Sequence, residues 1–199
     1  MALYKTVLVT GASAGFGFAI CEKLASQGYK VIATARRQDK LDALGNKYEG
    51  QIFPLKLDVT DTEAVDSILD KLPDEFKNID VLVNNAGLAL GQDKAFTYSL
   101  KDWYTMVNTN IKGLLNITHK LLPLMVKKNK GYIINLGSTA GAWPYTGGNV
   151  YGGTKAFVEQ FSRNLRCDLA GTALKVTVIK PGLCSNTEFS NVRFKGDNE

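Results

Sequence analysis

Long apolar runs, paired cysteines and blocks of like charge are all missing from this sequence. No stretch reaches 18 apolar residues, so no transmembrane helix is expected. The start of the chain lacks the apolar stretch and cleavage site of a signal peptide. Three cysteines without short spacing, Cys21, Cys167 and Cys184, argue against a disulfide framework or a metal site. Together these absences predict reduced thiols in a cytoplasmic protein.

The charge of the chain is mild and dispersed. A net charge of +5 is spread over 199 residues, and its densest cluster, Lys127, Lys128 and Lys130, is explained by a solvated helix end. Nucleic-acid binding would need a basic stripe with interleaved aromatic residues, which is not visible. We therefore expect neither a nucleic-acid nor a membrane partner, and anionic small molecules remain plausible.

Strand and helix patterns alternate along the whole chain. Six short, nearly continuous apolar runs are predicted as buried strands: Lys5–Thr10, Lys30–Ala35, Gln51–Leu57, Asp80–Asn84, Gly131–Leu136 and Leu174–Lys180. The longer amphipathic stretches between them are predicted as helices: Gly15–Gln27, Gln38–Tyr48, Asp61–Leu72, Leu100–Lys128 and Asn149–Ala170. This alternation predicts one α/β domain over residues 1–199, with a doubly wound parallel sheet and helices on both faces.

A glycine-rich loop follows the first predicted strand and leads directly into a helix. Such a loop lets backbone N–H groups close on a pyrophosphate at the helix N-terminus. Its spacing is G-x-x-x-G-x-G rather than the general dinucleotide fingerprint, and a merely structural turn is the alternative. Its place after the first strand favours a cofactor loop. The candidate residues are Gly11, Ala12, Ser13, Ala14, Gly15, Phe16 and Gly17.

Two arginines follow the second predicted strand where an NAD enzyme would carry an acidic residue. Arg36 lies nineteen residues after Gly17, and the nearest acid, Asp39, comes too late to hold a ribose 2′-hydroxyl. Guanidinium groups bind phosphate bidentately, so Arg36 and Arg37 suit a 2′-phosphate. The pair therefore favours NADP(H) over NAD(H), although two exposed arginines at a helix start are the structural alternative.

The strongest chemical signal combines a serine with a Tyr-x-x-x-Lys motif. Ser138 ends the fifth predicted strand, where open α/β sheets bind ligands, and Tyr151 and Lys155 stack on one helix face. Acting near neutral pH, tyrosine needs its pKa lowered by about 3 units, or about 4 kcal/mol. A cation about 4–5 Å away supplies roughly 3–4 kcal/mol at an effective dielectric of 20. We expect Lys155 to depress the pKa of Tyr151 in this way.

These motifs, with Asn84–Gly87, Asn110 and Pro181–Gly182, resemble the short-chain dehydrogenase/reductase family over essentially the whole chain. Longer strings, such as NNAGLALG from Asn84, resemble its NADP-dependent 3-hydroxy acid dehydrogenases, which act on serine, L-allo-threonine and 3-hydroxypropionate. The resemblance implies a Rossmann-type fold and an oxidoreductase. It also implies a family-like homo-oligomer.

The resemblance further implies a role for each matching residue. Tyr151 would be the general acid and base, Lys155 would contact the nicotinamide ribose, Ser138 would hold the substrate oxygen, and Asn110 would position a water. Hydride transfer itself would belong to the cofactor. Residues implied at the cofactor are, besides the glycine loop, Tyr151, Lys155 and the arginine pair, Asp58, Val59, Asn84, Asn85, Ala86, Gly87, Pro181, Gly182, Leu183, Thr187 and Phe189.

The last part of the chain departs from the family pattern. Cys184, Ser185 and Asn186 stand where near relatives carry Val-Gly-Gly, and this difference could alter the cofactor lid. The chain stops at Glu199, whereas the family continues through another helix and strand. We therefore expect a shortened chain, an interrupted gene or an unrecorded tail. Arg193 is a candidate partner for a substrate carboxylate. The open alternatives are a reductase of bulkier ketones and a cofactor-binding protein without turnover.

Overall fold

A computed structural model describes residues 4–182 and 188–193, apart from the side chains of residues 190 and 191. Its sheet has six parallel strands in the order β3-β2-β1-β4-β5-β6. The strands are β1 (Thr6–Thr10), β2 (Lys30–Ala35), β3 (Ile52–Lys56), β4 (Val81–Asn84), β5 (Tyr132–Leu136) and β6 (Lys175–Ile179). The predicted doubly wound parallel sheet is confirmed, and each strand boundary lies within one residue of its predicted place.

The α-helices of the part of the chain that the structure describes are α1 (Gly15–Ser26), α2 (Gln38–Lys47), α3 (Thr62–Asp66), α4 (Leu100–Val107), α5 (Leu114–Lys127), α6 (Asn149–Asp168) and α7 (Glu188–Arg193). Successive strand residues point to opposite faces, so each face builds its own core. Val7 and Val9 of β1 belong to the cluster with α1 and α2, while Leu8 belongs to the cluster with α3, α5 and α6.

Two predicted helices differ from the structure. The stretch predicted as one helix over Leu100–Lys128 contains a π-helical segment, Asn108–Gly113, between α4 and α5. The helix predicted over Asp61–Leu72 ends at Asp66 and is followed by a 3₁₀ turn, Ile68–Lys71. Leu72 precedes a proline and is extended, with ψ at 138°, because the proline ring disfavours helical backbone in the preceding residue.

All carboxyl ends of the parallel strands meet at one edge of the sheet. The strand order reverses between β1 and β4, which opens a crevice where ligands of doubly wound sheets bind. The glycine loop after β1 and the segments after β2, β4 and β5 converge there. Within residues 4–182 and 188–193, no helix is both long and apolar enough to cross a bilayer.

Candidate active site

A cavity of about 990 Å³ lies at the carboxyl edge of the sheet. Most residues that the sequence analysis assigned to the cofactor or the substrate line its wall. Those on the wall are Gly11, Ser13, Ala14, Gly15, Phe16, Arg36, Arg37, Asp58, Val59, Asn85, Ala86, Gly87, Ser138, Tyr151, Lys155, Pro181, Gly182, Phe189 and Arg193.

Four assigned residues do not line this wall, and two lie outside the described residues. Ala12 and Gly17 are buried within the glycine loop, and Asn84 and Asn110 are buried behind the segment that follows β4. Their contact with a bound cofactor or water stays a prediction. Leu183 and Thr187, and the Cys184-Ser185-Asn186 departure between them, belong to the segment that the structure does not describe.

The glycine loop is packed against the backbone that follows β4. Gly11 has a positive φ of 67°. A Cβ on Gly17 would lie 2.3 Å from the carbonyl oxygen of Gly11, so no side chain fits there. The Asn85 amide donates to the carbonyl oxygens of Thr10, at 2.8 Å, and Gly11, at 3.2 Å. The loop is thus held close to the sheet, with the N-terminus of α1 at the cavity and open to a phosphate.

The arginine pair lies at the far end of the glycine loop. Arg36 and Arg37 are both exposed on the cavity wall. Arg37 donates to the Ser13 hydroxyl through Nε at 3.2 Å and Nη2 at 3.1 Å, and it forms an ion pair of 2.8 Å with Glu188. On the neighbouring segment, the Asp58 carboxylate accepts two bonds from Thr60 and is held in place. This end of the cavity therefore offers a fixed guanidinium to an anion.

Asn84 supports the centre of the sheet. Its amide donates to Thr118 Oγ1 at 2.9 Å and to Asn135 Oδ1 at 2.8 Å, and the side chain is buried. Asn135 in turn donates to Ser162 Oγ at 2.8 Å. These bonds join β4 and β5 to α5 and α6.

Ser138, Tyr151 and Lys155 converge at the inner end of the cavity. Tyr151 lies in the first turn of α6 and is 7% exposed, and Ser138 lies on the wall of the same cavity, near enough for its hydroxyl to act on the tyrosine. One helical turn later, Lys155 Nζ lies 5.9 Å from the centroid of the Tyr151 ring. The same ammonium donates to the carbonyl oxygen of Leu136 at 2.7 Å. The predicted constellation is brought together as its spacing indicated.

The protonation behaviour of this pair differs from the expectation. Burial lowers the pKa of Lys155 to about 8. Burial also raises the pKa of Tyr151, which the Ser138 hydroxyl and the charge of Arg193 only partly oppose. The predicted lowering of the Tyr151 pKa by Lys155 is therefore wrong for the protein's own groups, because desolvation of the phenolate outweighs the opposing effects of Ser138 and Arg193.

Both the oxygen and the nitrogen of the Asn110 side-chain amide are hydrogen-bonded within the protein. Its Oδ1 accepts from the Leu88 N–H at 2.8 Å, and its Nδ2 donates to the Leu88 carbonyl at 2.9 Å and to Thr154 Oγ1 at 3.0 Å. A Cβ on Gly87 would lie 3.1 Å from Asn110 Oδ1 and 3.5 Å from Lys155 Nζ. Asn110 thus fixes the backbone beside Lys155, and the π-helical segment turns it inward.

Helix α7 covers the cavity from the arginine pair to the tyrosine. The Phe189 ring packs at 5.7 Å from the Tyr151 ring. The Arg193 guanidinium lies 5.5 Å from the Tyr145 ring and 5.8 Å from the Tyr151 ring, and it donates to the Tyr145 hydroxyl and the Gly91 carbonyl at 3.3 Å each. Arg193 therefore places a positive charge beside the candidate catalytic group.

Tyr145 and Glu188 line the wall and bond to Arg193 and Arg37, although the sequence analysis assigned neither of them a role. Tyr145 follows Ser138 in a loop, where no spacing distinguishes a tyrosine at a site from one in ordinary packing. Glu188 is an isolated acidic residue at the start of a short helix, so no spacing or pattern could have connected it to Arg37, 151 positions earlier.

The residues at the cavity fit a phosphorylated dinucleotide. A side chain at Gly17 would collide with the backbone of the glycine loop, so α1 begins close against that loop, and Arg37 stands at the end of the cavity that is lined by Asp58 and Val59. Ser138 and Tyr151 lie at the opposite end. Adenosine and nicotinamide ends can therefore be accommodated in one elongated site.

Three comparisons with known proteins agree with this geometry. The short chain dehydrogenase family model matches residues 5–198. The chain is 59% identical to the NADP-dependent 3-hydroxy acid dehydrogenase YdfG of Escherichia coli strain K12, over 96% of this chain and 77% of that one. It is 53% identical to the serine 3-dehydrogenase of Agrobacterium fabrum, over 98% and 77% of the two chains. A closed form of serine dehydrogenase complexed with NADP+ superimposes with a TM-score of 0.96 at 58% identity, over 97% of this chain and 78% of that one.

Proposed function

This chain belongs to the short-chain dehydrogenase family, and on that premise we propose that it is an NADP-dependent oxidoreductase of small 3-hydroxy acids. It would interconvert serine, L-allo-threonine or 3-hydroxypropionate with the corresponding 3-oxo acid or semialdehyde. The observation that carries the proposal is that Tyr151, Ser138 and Lys155 line the same cavity as the glycine loop and Arg37. The names of these relatives support the cofactor and the substrate class.

The cofactor would be held by residues along the whole cavity. Backbone N–H groups of the glycine loop would bind the phosphates, Arg36 and Arg37 the 2′-phosphate, and Asp58 and Val59 would border the adenine. Lys155 has three N–H donors and gives one to Leu136, which leaves donors for the nicotinamide ribose. When bound, NADP(H) supplies or accepts the hydride.

Proton transfer would be the task of Tyr151. Its hydroxyl would give a proton to the substrate carbonyl oxygen during reduction and take one from the substrate hydroxyl during oxidation. Ser138 would hold the same substrate oxygen. The raised pKa of Tyr151 keeps the phenol protonated at neutral pH and suits the reductive direction. Oxidation needs the phenolate, which positive charge at the nicotinamide end would favour.

A substrate carboxylate would face Arg193. Its guanidinium is beside the Tyr151 ring and is oriented by Tyr145 and Gly91. A charge-assisted bond to a carboxylate contributes about 1.5–3 kcal/mol, or roughly 10- to 100-fold in binding. This contact would select hydroxy acids over uncharged alcohols.

Replacing Tyr151 with phenylalanine tests the assigned acid. The change removes one hydroxyl, so loss of nicotinamide absorbance with a semialdehyde substrate should cease while NADPH affinity stays within about twofold. Tyr104→Phe, at an exposed tyrosine of α4, is the matched control and should retain full turnover. Turnover retained in Tyr151→Phe would show that another group donates the proton.

The same absorbance assay distinguishes the proposed function from the two alternative functions. Wild-type chain that binds NADPH but gives no absorbance loss with any substrate would be a cofactor-binding protein without turnover. A bulky ketone reduced faster than small semialdehydes would instead indicate a broader carbonyl reductase.

Replacing Arg193 with glutamine tests the carboxylate contact. We expect the KM for serine to rise at least tenfold, with a far smaller change for an uncharged alcohol. Arg163→Gln, on the outer side of α6, is the matched control and should leave both KM values unchanged. Equal effects of Arg193→Gln on both substrates would refute the contact. A cytoplasmic location, expected from the cysteine pattern, and a homo-oligomer, implied by the family resemblance, stay predictions.

A further inference from the structure

The ion pair between Arg37 and Glu188 lies where the proposed cofactor would place its 2′-phosphate. Arg37 Nη1 and Nη2 donate to the two carboxylate oxygens of Glu188 at 3.4 and 2.8 Å. On the other edge of the same guanidinium, Nε and Nη2 donate to Ser13 Oγ at 3.2 and 3.1 Å. A guanidinium binds an anion bidentately through either of these two edges. In Arg37 both edges already donate to protein groups.

A 2′-phosphate that binds Arg37 bidentately must displace one of these partners. A carboxylate presents two oxygens to the guanidinium much as a phosphate does, so Glu188 and a phosphate compete for the same edge. A phosphate brought beside a retained Glu188 carboxylate would also be repelled by it. Ser13 is neutral and belongs to the glycine loop, so it can stay in place.

From this geometry we propose that Glu188 is an internal competitor of the cofactor's 2′-phosphate for Arg37, and that it thereby tunes selection between NADP(H) and NAD(H). The inference rests on the proposed function, because it assumes that the cofactor's adenosine end binds at Arg37. A ligand without the 2′-phosphate leaves the Arg37–Glu188 pair intact. A ligand with it must first separate the pair.

The competition extends to α7. Glu188 is the first residue of that helix, Phe189 packs on the Tyr151 ring, and the Arg193 carbonyl accepts from the Gly91 N–H. The short helix thus touches both the adenosine end and the catalytic end of the cavity. Displacing Glu188 from Arg37 releases one of the contacts that hold α7 over the cavity. Phosphate recognition is thereby coupled to the position of α7.

Binding of two adenosine fragments tests the proposal without catalysis. Adenosine 2′,5′-bisphosphate carries the 2′-phosphate and 5′-AMP does not, and neither reaches the hydride-transfer end. By calorimetry, Glu188→Gln should bind the bisphosphate about fivefold more tightly than wild type, the effect expected from removing an exposed ion pair. Its affinity for 5′-AMP should change by less than about twofold.

Asp39→Asn is the matched control. It removes the same charge two residues from Arg37, at an exposed position of α2 that does not bond Arg37. This variant should leave the ratio of the two affinities unchanged. An equal gain in Asp39→Asn would show a general charge effect and overturn the competition. An unchanged or weakened bisphosphate affinity in Glu188→Gln would also overturn it.

Failure of the proposed function has a different signature. A wild-type chain that binds the bisphosphate no better than 5′-AMP contradicts NADP selection itself. Hydrogen–deuterium exchange gives a second readout of the coupling. The bisphosphate should speed amide exchange in the 188–193 peptide of the wild-type chain, whereas 5′-AMP should not. Equal exchange with both ligands would refute the link to α7.

Discussion

Replacing Lys155 with methionine should abolish a rise in stability that the wild-type chain shows between pH 7 and 9.5. The folded-state pKa of Lys155 is about 8, against a usual value of 10.5, because its ammonium is buried. Between these two values the unfolded chain binds more protons than the folded chain. The free energy of unfolding therefore increases with pH through this window.

The expected size follows from the two pKa values. Below pH 8 the folded protein carries the full cost of burying a charged amine, and above that pH the amine progressively becomes neutral. Linkage over pH 7 to 9.5 gives a gain of about 2 kcal/mol in the wild-type chain. Methionine keeps the apolar stem of the side chain and has no titrating group, so this contribution disappears.

Urea unfolding of both proteins at pH 7, 8, 9 and 9.5 measures the difference. Other titrating groups cancel in the comparison, including Cys21, whose pKa burial raises to about 12 and which therefore destabilises both proteins above pH 9. Lys155→Met should be more stable than the wild-type chain at pH 7, and this advantage should shrink by about 2 kcal/mol by pH 9.5. Parallel pH dependences in the two proteins would refute the argument that Lys155 is buried as a charge.

Three further predictions concern the ionisation of Tyr151 and two substitutions, Asp80→Asn and Gly17→Ala. With no cofactor added, a difference absorbance titration of the wild-type chain against Tyr151→Phe should show the Tyr151 phenol ionising at a higher pH than an exposed tyrosine, because burial raises its pKa. Asp80→Asn should cost roughly 3 kcal/mol in urea unfolding, because a buried carboxylate paired with Lys128 and Lys130 is removed. The pKa of Asp80 is lowered because a backbone N–H bond and the two lysines outweigh burial, so the wild-type advantage should vanish as the pH falls below about 4. Gly17→Ala should weaken NADPH binding at least tenfold by fluorescence titration, since a Cβ would meet a loop carbonyl at 2.3 Å.

Local patterns carried most of the information about the sheet. Strands buried on both faces have nearly continuous apolar runs, so β1, β2 and β4 were predictable from residues such as Val81, Leu82 and Val83. The predicted helix over Leu100–Lys128 was less reliable, because periodicity does not record one extra residue in a turn. The π-helical segment at Asn108–Gly113 depends on packing instead: Gly113 lies so close to Val59 that a Cβ would approach its Cγ2 to 2.5 Å.

The candidate active site, like the fold, was predictable from the sequence only in part. Tyr151 and Lys155 were predictable because helical spacing fixes which side chains share a face. The direction of their pKa shifts was not, since it depends on how much water the surrounding residues exclude, and burial is a property of the whole fold. The ion pair of Glu188 with Arg37 joins residues 151 positions apart and leaves no local signal.

The raised pKa of Tyr151 and the lowered pKa of Lys155 have one common cause. Burial disfavours charge, so it keeps the Tyr151 phenol protonated and brings Lys155 towards neutrality near pH 8. With the protein's own groups alone, Tyr151 is therefore a proton donor and not a base. Formation of the phenolate would need more positive charge than Lys155 and Arg193 provide. In the proposed function, Lys155 and the glycine loop would hold a cofactor whose oxidised nicotinamide would supply that charge. The same tyrosine would thus serve both directions, as a proton donor because it is buried and as an acceptor when that charge is present.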